Sequence, residues 1–110
     1  AKKNHRLGRM GEKIIAEKLH LKPTPHKAPF DIVDFVTGIA YEVKTMSAMS
    51  KDLKIHISDS SWQRKAEFIS KYLLRGVLIA VVVYSPEKVE VYSSELKQHI
   101  RVNQMKRITI

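Results

Sequence analysis

Two different periods of apolar and polar residues run along this 110-residue chain, and the switches between them outline its elements. From about residue 4 to 21, Leu7, Met10, Gly11, Ile14, Ile15 and Leu19 recur at spacings of three and four, which predicts a helix with one buried face. Asn4 is placed to cap its start, and Pro23 and Pro25 to end it before a loop, 22–29. Phe30 to Val36 reads as a strand, Thr37-Gly38 as a tight turn and Ile39 to Thr45 as the returning strand. A polar loop, 46–52, leads to a half-exposed third strand, Leu53 to Ile57, where Leu and Ile alternate with Lys and His. One of Ser58, Asp59, Ser60 or Ser61 caps a second helix reaching about Leu74. Its core face is expected to carry Trp62, Ala66, Ile69 and Leu73, with Arg64, Lys65 and Lys71 outside and Gly76 as terminator.

Val77 to Tyr84 is almost wholly apolar, as in a central strand covered on both faces. Lys88 to Tyr92 is its hairpin partner. Ser93 or Ser94 is placed to cap a short helix through Ile100, and Arg107 to Ile110 is a candidate edge strand in a basic tail. The order α-β-β-β-α-β-β predicts a single α/β domain over residues 1–110, with a mixed central sheet flanked by helices. A C-terminal hairpin and short helix follow. No repeat or linker divides the chain.

Composition narrows the function classes. No cysteine is present, so disulfides and thiolate metal sites are excluded. No segment approaches the roughly 20 apolar residues of a membrane span, and the N-terminus lacks a signal-peptide pattern; a cytoplasmic location and no membrane partner are expected. His5, His20, His26, His56 and His99 contain no pair at zinc-ligand spacing. No glycine-rich phosphate loop or nucleophile elbow occurs, and nothing points to a small-molecule cofactor.

The net charge of +9 is uneven. Residues 1–27 hold eight Lys/Arg against two acids, residues 97–110 four against none, and residues 28–96 eight against nine. Basic flanks around an acidic middle suit a polyanion held over a metal site. Lys2, Lys3, Arg6, Arg9, Arg101, Lys106 and Arg107 are the expected phosphate contacts. The second helix begins directly after the third strand, so its N-terminal region adds Ser60, Gln63 and Lys65 as candidate nucleic-acid contacts. His5 and His26 flank the basic end, and His56 could line a cleft; Trp62 reads as core rather than as a base-stacking platform.

The acidic middle carries the candidate chemistry. Glu42 and Lys44 stand two apart on one strand and share a face, and Asp31 can join them across the hairpin. Two carboxylates beside an ammonium among Val and Ile are costly unless they hold a hard cation. Glu12 lies at the border of the first helix's buried face, where its carboxylate can reach the sheet edge. Gly8 and Gly11, poor helix formers, point to close packing there. Asp34 and Glu17 are weaker rivals of Asp31 and Glu12, both expected on exposed surface.

Gly8 to Leu19 in the pattern G-x-x-G-E-x-x-x-A-x-x-L, then Asp31, then Glu42-Val43-Lys44, resembles the PD-(D/E)xK nuclease superfamily, over about residues 4–84. The match departs at Pro29-Phe30-Asp31, where one residue parts the proline from the acid. Size, helical Glu and basic charge look most like Holliday junction resolvase-like nucleases. The resemblance implies a restriction-endonuclease-like αβββαβ core and Mg²⁺- or Mn²⁺-dependent endonucleolytic cleavage of duplex or branched DNA. A role in recombination or repair and a homodimer are also implied. By the same resemblance, Asp31 and Glu42 ligate the metal with the Val43 backbone carbonyl. Lys44 orients the water or steadies the phosphorane charge, and Glu12 serves a second metal or its water. The alternatives are an RNA- or tRNA-cleaving nuclease on the same fold, a non-catalytic nucleic-acid-binding module, and a structural subunit whose acids bridge to Lys and Arg.

Overall fold

The computed structural model describes residues 2–24, 28–47 and 54–108, with side chains from residue 8 onward. Helix α1 spans Lys2–Leu19, strands β1 and β2 Ile32–Asp34 and Ile39–Ser47, and β3 Lys54–His56. Helix α2 is Asp59–Tyr72, followed by β4 Gly76–Tyr84, β5 Val89–Glu95, β6 His99–Arg101 and β7 Lys106–Ile108. Among the described residues no helix is long and apolar enough to cross a membrane.

The sequence places α1 correctly apart from its ends, and most of its buried face. Asn4 does not cap the helix, because the helix already runs from Lys2. The stop is His20, with a left-handed φ of 56°, and Leu21 donates its N–H back to the Ala16 carbonyl at 2.9 Å. Termination therefore precedes Pro23. Ile15 and Ala16 are buried, whereas Met10, expected on the buried face, is 36% exposed.

Five strands form one mixed sheet in the order β1-β2-β4-β5-β7. β1–β2, β4–β5 and β5–β7 are antiparallel, and β2–β4 is parallel over nine paired residues, Ile39↔Gly76 to Ser47↔Tyr84. A parallel pair needs a long crossover, and here it contains β3 and α2. Helix α1 covers one face, packing Ile15 and Ala16 on Ile32, Val43, Ala80, Val82 and Val91. On the other face α2 brings Trp62, Phe68 and Ile69 against Phe30, Ala40, Ile79, Val81 and Val83. β4 is thus covered on both faces, as its apolar run predicts.

Four expectations are corrected. β3 does not enter the main sheet: it pairs with β6 in a separate antiparallel ribbon. Both edges of β2 are already taken, by β1 and β4, so β3 has no place beside it. The αβββαβ element order holds in sequence, but the third strand is not a sheet member.

No helix forms over Ser93 to Ile100. β5 continues through Glu95 because the long β4 supplies partners as far as Leu78↔Glu95, and Ser93 Oγ donates to the Ile79 carbonyl at 2.9 Å. Ladder bonds outweigh the capping preference of serine. A single 3-10 turn, Val102–Gln104, occurs instead. The predicted 22–29 and 46–52 loops and the last strand fall partly outside the described residues, as does the start of the third strand at Leu53.

The buried face of α2 is turned relative to the prediction. Ser58 caps its start by accepting the Ser61 N–H. Lys65, expected outside, is 5% exposed, while Ala66 is exposed and Leu73 is 82% exposed. Trp62 is half-buried and packs against the core, on the side expected of it. Leu73, at φ 51°, ends the helix, and Gly76 opens β4 rather than capping α2.

Candidate active site

The ladder between β1 and β2 runs out at Asp31, whose N–H donates to the Tyr41 carbonyl at 3.1 Å. Two residues further along β2, Val43 has no β1 partner. The Asp31 carboxylate replaces the missing strand: its Oδ2 accepts the Val43 N–H at 2.8 Å. Asp31 therefore lies near the plane of the sheet at its open edge. The alternation of a strand turns the Val43 carbonyl toward that same edge, two residues on from the bonded Tyr41 carbonyl.

Glu12 and Glu42 meet Asp31 from opposite faces. Glu42 shares the α2 face of β2 with Ala40, and its carboxyl lies within hydrogen-bond reach of Asp31. Glu12 comes from α1 on the other face and also lies within hydrogen-bond reach of Asp31. What brings it there is Gly11. A Cβ on Gly11 would stand 1.9 Å from Thr45 Oγ1, so only glycine lets α1 sit this close to β2. Thr45 Oγ1 is itself buried with no hydrogen-bond partner among the described residues. A Cβ on Gly8, by contrast, would meet nothing within 4 Å among the described residues, so the close packing expected there is found at Gly11.

Lys65 completes the cluster. Its Nζ lies 2.6 Å from Glu42 Oε2, donates to the Pro29 carbonyl, and sits 5.0 Å from the centroid of the Phe30 ring. It is thus a buried counter-ion of Glu42, not the exposed nucleic-acid contact expected from the sequence. Its place could have been found by spacing: Lys65 stands three residues from both Trp62 and Phe68, within the apolar stripe. A long, flexible side chain ordinarily marks an exposed face, which is why the pattern misleads.

Lys44 is exposed, two residues from Glu42 on the same face of β2, and forms no ion pair among the described residues. Ser60 and Gln63 are exposed at the start of α2. Arg9, Arg101, Lys106 and Arg107 are exposed; the side chains of Lys2, Lys3, Arg6, His5 and His26 lie outside the described residues. Asp34 caps the β1–β2 turn, accepting the N–H groups of Val36 and Thr37, and Glu17 is exposed, so neither joins the cluster. A second buried acid, Glu90, is held by Tyr92 and by Lys88 Nζ at 2.8 Å, apart from this site.

The electrostatics of the pair are those of two carboxyls competing for one proton. Burial pushes Glu42 up to about 7, the neighbouring Asp31 pushes it further in the same direction, and Lys65 opposes both. Burial also raises Asp31, with Glu12 adding to the rise and the hydrogen bonds from Glu42 and Val43 opposing it. One proton between the two carboxyls relieves the repulsion.

Among the described residues no three His, Asp or Glu side chains converge as a preformed metal cage. The donors present are nevertheless hard oxygens: two paired carboxylates, a third within reach of one of them, and a backbone carbonyl turned to the same edge. Mg²⁺ is characteristically held by one or two carboxylates with water and substrate phosphate, not by an all-protein cage, so this set fits it. No protein-family model matches the chain, and no curated protein and no solved structure matches it.

Proposed function

We propose that the chain is a divalent-metal-dependent endonuclease that hydrolyses phosphodiester bonds of duplex or branched DNA. The observation that carries this reading is the Asp31–Glu42 carboxyl pair at an open sheet edge, Glu42 buried and Asp31 half-buried, with Glu12 reaching it from α1 and Lys44 exposed beside it. A purely structural pair of acids would be expected to end in neutralising contacts. Here Lys65 offsets one charge, and the other is left to a proton.

Asp31, Glu42 and the Val43 carbonyl would hold Mg²⁺ or Mn²⁺, with Glu12 at its water or at a second ion. Bound there, the ion supplies Lewis-acid stabilisation and an acidified water. Lys44 is positioned to orient that water or to steady the charge on the phosphorane oxygens. Lys65 acts through Glu42, fixing its carboxylate. In the reaction the water oxygen bonds to phosphorus, the bond to one ester oxygen breaks, and the leaving oxygen takes a proton. The basic flanks supply the preference for a polyanion, and dimer formation would let one assembly cut two strands.

The test is incubation of four-way junction, linear duplex, single-stranded DNA and RNA with Mg²⁺, Mn²⁺ or EDTA. Metal-dependent cleavage of DNA is expected, and Asp31→Asn should abolish it while the variant still binds DNA. Cleavage in EDTA, or full activity of Asp31→Asn, overturns the site. Cleavage of RNA alone replaces the substrate.

A further inference from the structure

The β3–β6 ribbon has two unlike faces. Its register pairs Lys54 with Arg101, Ile55 with Ile100 and His56 with His99. Ile55 and Ile100 are buried in the core beneath α2. The alternation of a strand puts the other four, Lys54, His56, His99 and Arg101, on the opposite face, and all four are exposed. The two imidazoles stack, with centroids 4.3 Å apart and planes inclined by 11°. Lys54 and Arg101 stand directly across from one another, a like-charge arrangement that weakens a ribbon. Neither forms an ion pair among the described residues. Among the described residues the acids beside the ribbon are Glu95, which lines a hollow with Lys97 and His99, and Asp59, which accepts a hydrogen bond from Gln98 Nε2 at 2.6 Å at the ribbon's end.

We propose that this outward face is a second contact surface for duplex DNA, gripping the phosphate backbone away from the carboxylate cluster. Three residues per strand leave little ladder to offset the Lys54–Arg101 repulsion, and an anion between them removes it. Cationic groups and imidazole N–H groups suit phosphate oxygens, which position a duplex without reading its sequence. The apolar residues of the ribbon all point inward, so the face offers nothing to insert into a lipid surface. Lys54 belongs to the near-neutral middle of the sequence and is not part of a charge run. Only pairing with β6 brings it to Arg101.

This inference rests on the nucleic-acid reading, and the experiment separates the two. Binding of a fluorescent duplex is measured in EDTA across a salt series for wild type, Lys54→Ala/Arg101→Ala, His56→Ala/His99→Ala, and Lys71→Ala as a single-charge control on α2. The Lys54/Arg101 variant should lose at least about tenfold in affinity, and its log–log salt slope should shrink by about 1.8, two contacts at roughly 0.9 each. The histidine variant should weaken binding without that full change in slope, and Lys71→Ala should leave the slope as it was. Circular dichroism melts establish that each variant is folded, and Lys54→Gln/Arg101→Gln replaces any that is not. An unchanged slope in a folded variant, with wild type binding tightly, overturns the ribbon surface alone. No duplex binding by wild type overturns the nucleic-acid reading as well. Loss of binding to vesicles containing phosphatidylserine, with DNA binding intact, would reassign the face to anionic lipid and overturn the DNA surface.

Discussion

Lys44 and Lys65 both lie near Glu42, one two residues along β2 and one in contact from α2, and their settings differ. Lys44 is exposed and uncommitted; Lys65 is buried and bound to Glu42. A charge that matters mainly in the transition state contributes on the order of 3 kcal/mol, about a hundredfold in rate. Lys44→Ala should therefore lose at least that factor in single-turnover cleavage with little change in DNA affinity. A wild-type rate would reduce Lys44 to surface charge. Lys65→Met preserves volume and removes the counter-ion, leaving Glu42 more reluctant to ionise. Its destabilisation should be about 1–3 kcal/mol near neutral pH and smaller in acid, where Glu42 is protonated in any case. Melting curves on both sides of neutrality check this. At this scale the sequence made Asp31 and Glu42 legible, because acids among apolar strand residues stand out, and Glu12, because it lies at the border of the buried face of α1. It misjudged Lys65, because hydropathy patterns do not register that a lysine can be buried once a carboxylate, a carbonyl and a ring receive it.

Periodicity located most of the elements and failed where pairing decides. β2 and β4 follow from local pattern, but whether β3 joins them depends on which edges are free. Likewise Ser93 and Ser94 look like helix caps until β4 supplies them with a ladder. The end of α2 is another place where local preference is overruled. Leu73 occupies a left-handed conformation at φ 51° that glycine adopts without a Cβ penalty, and its side chain is 82% exposed. Leu73→Gly should thus stabilise the protein by about 1 kcal/mol, read as a shift in the denaturant midpoint at constant slope. A destabilisation would mean that Leu73 makes contacts its exposure does not reveal.

For the whole molecule, the raised acids link stability to pH. Glu42 binds its proton up to about 7 in the folded chain, against an ordinary value of 4.5. Between those values the folded state holds a proton the unfolded chain has released. The contribution is complete below the lower value and is lost as pH rises through the upper one, at up to about 1.4 kcal/mol per pH unit. In EDTA the melting temperature should decline across this window. Excess Mg²⁺ should flatten the decline, since an ion that occupies the pair replaces the proton. An identical profile with and without Mg²⁺ would mean that no ion binds there. The four charged groups involved come from α1, the start of β1, β2 and α2, so the cluster exists only when the whole fold is assembled.

The Val43 amide has a further consequence. It is satisfied by a side chain where its neighbours are satisfied by strands, 2.8 Å from Asp31 Oδ2. Its proton is therefore held by a group whose charge changes with protonation or ligation, not by a ladder that opens only on unfolding. In a nuclear magnetic resonance spectrum that single amide is a native reporter. Its chemical shift follows the state of Asp31, and its exchange with heavy water follows the side chain's excursions, not the opening of the sheet. Occupancy of the carboxylate cluster can be read from one backbone resonance, with no label attached and no substrate turned over.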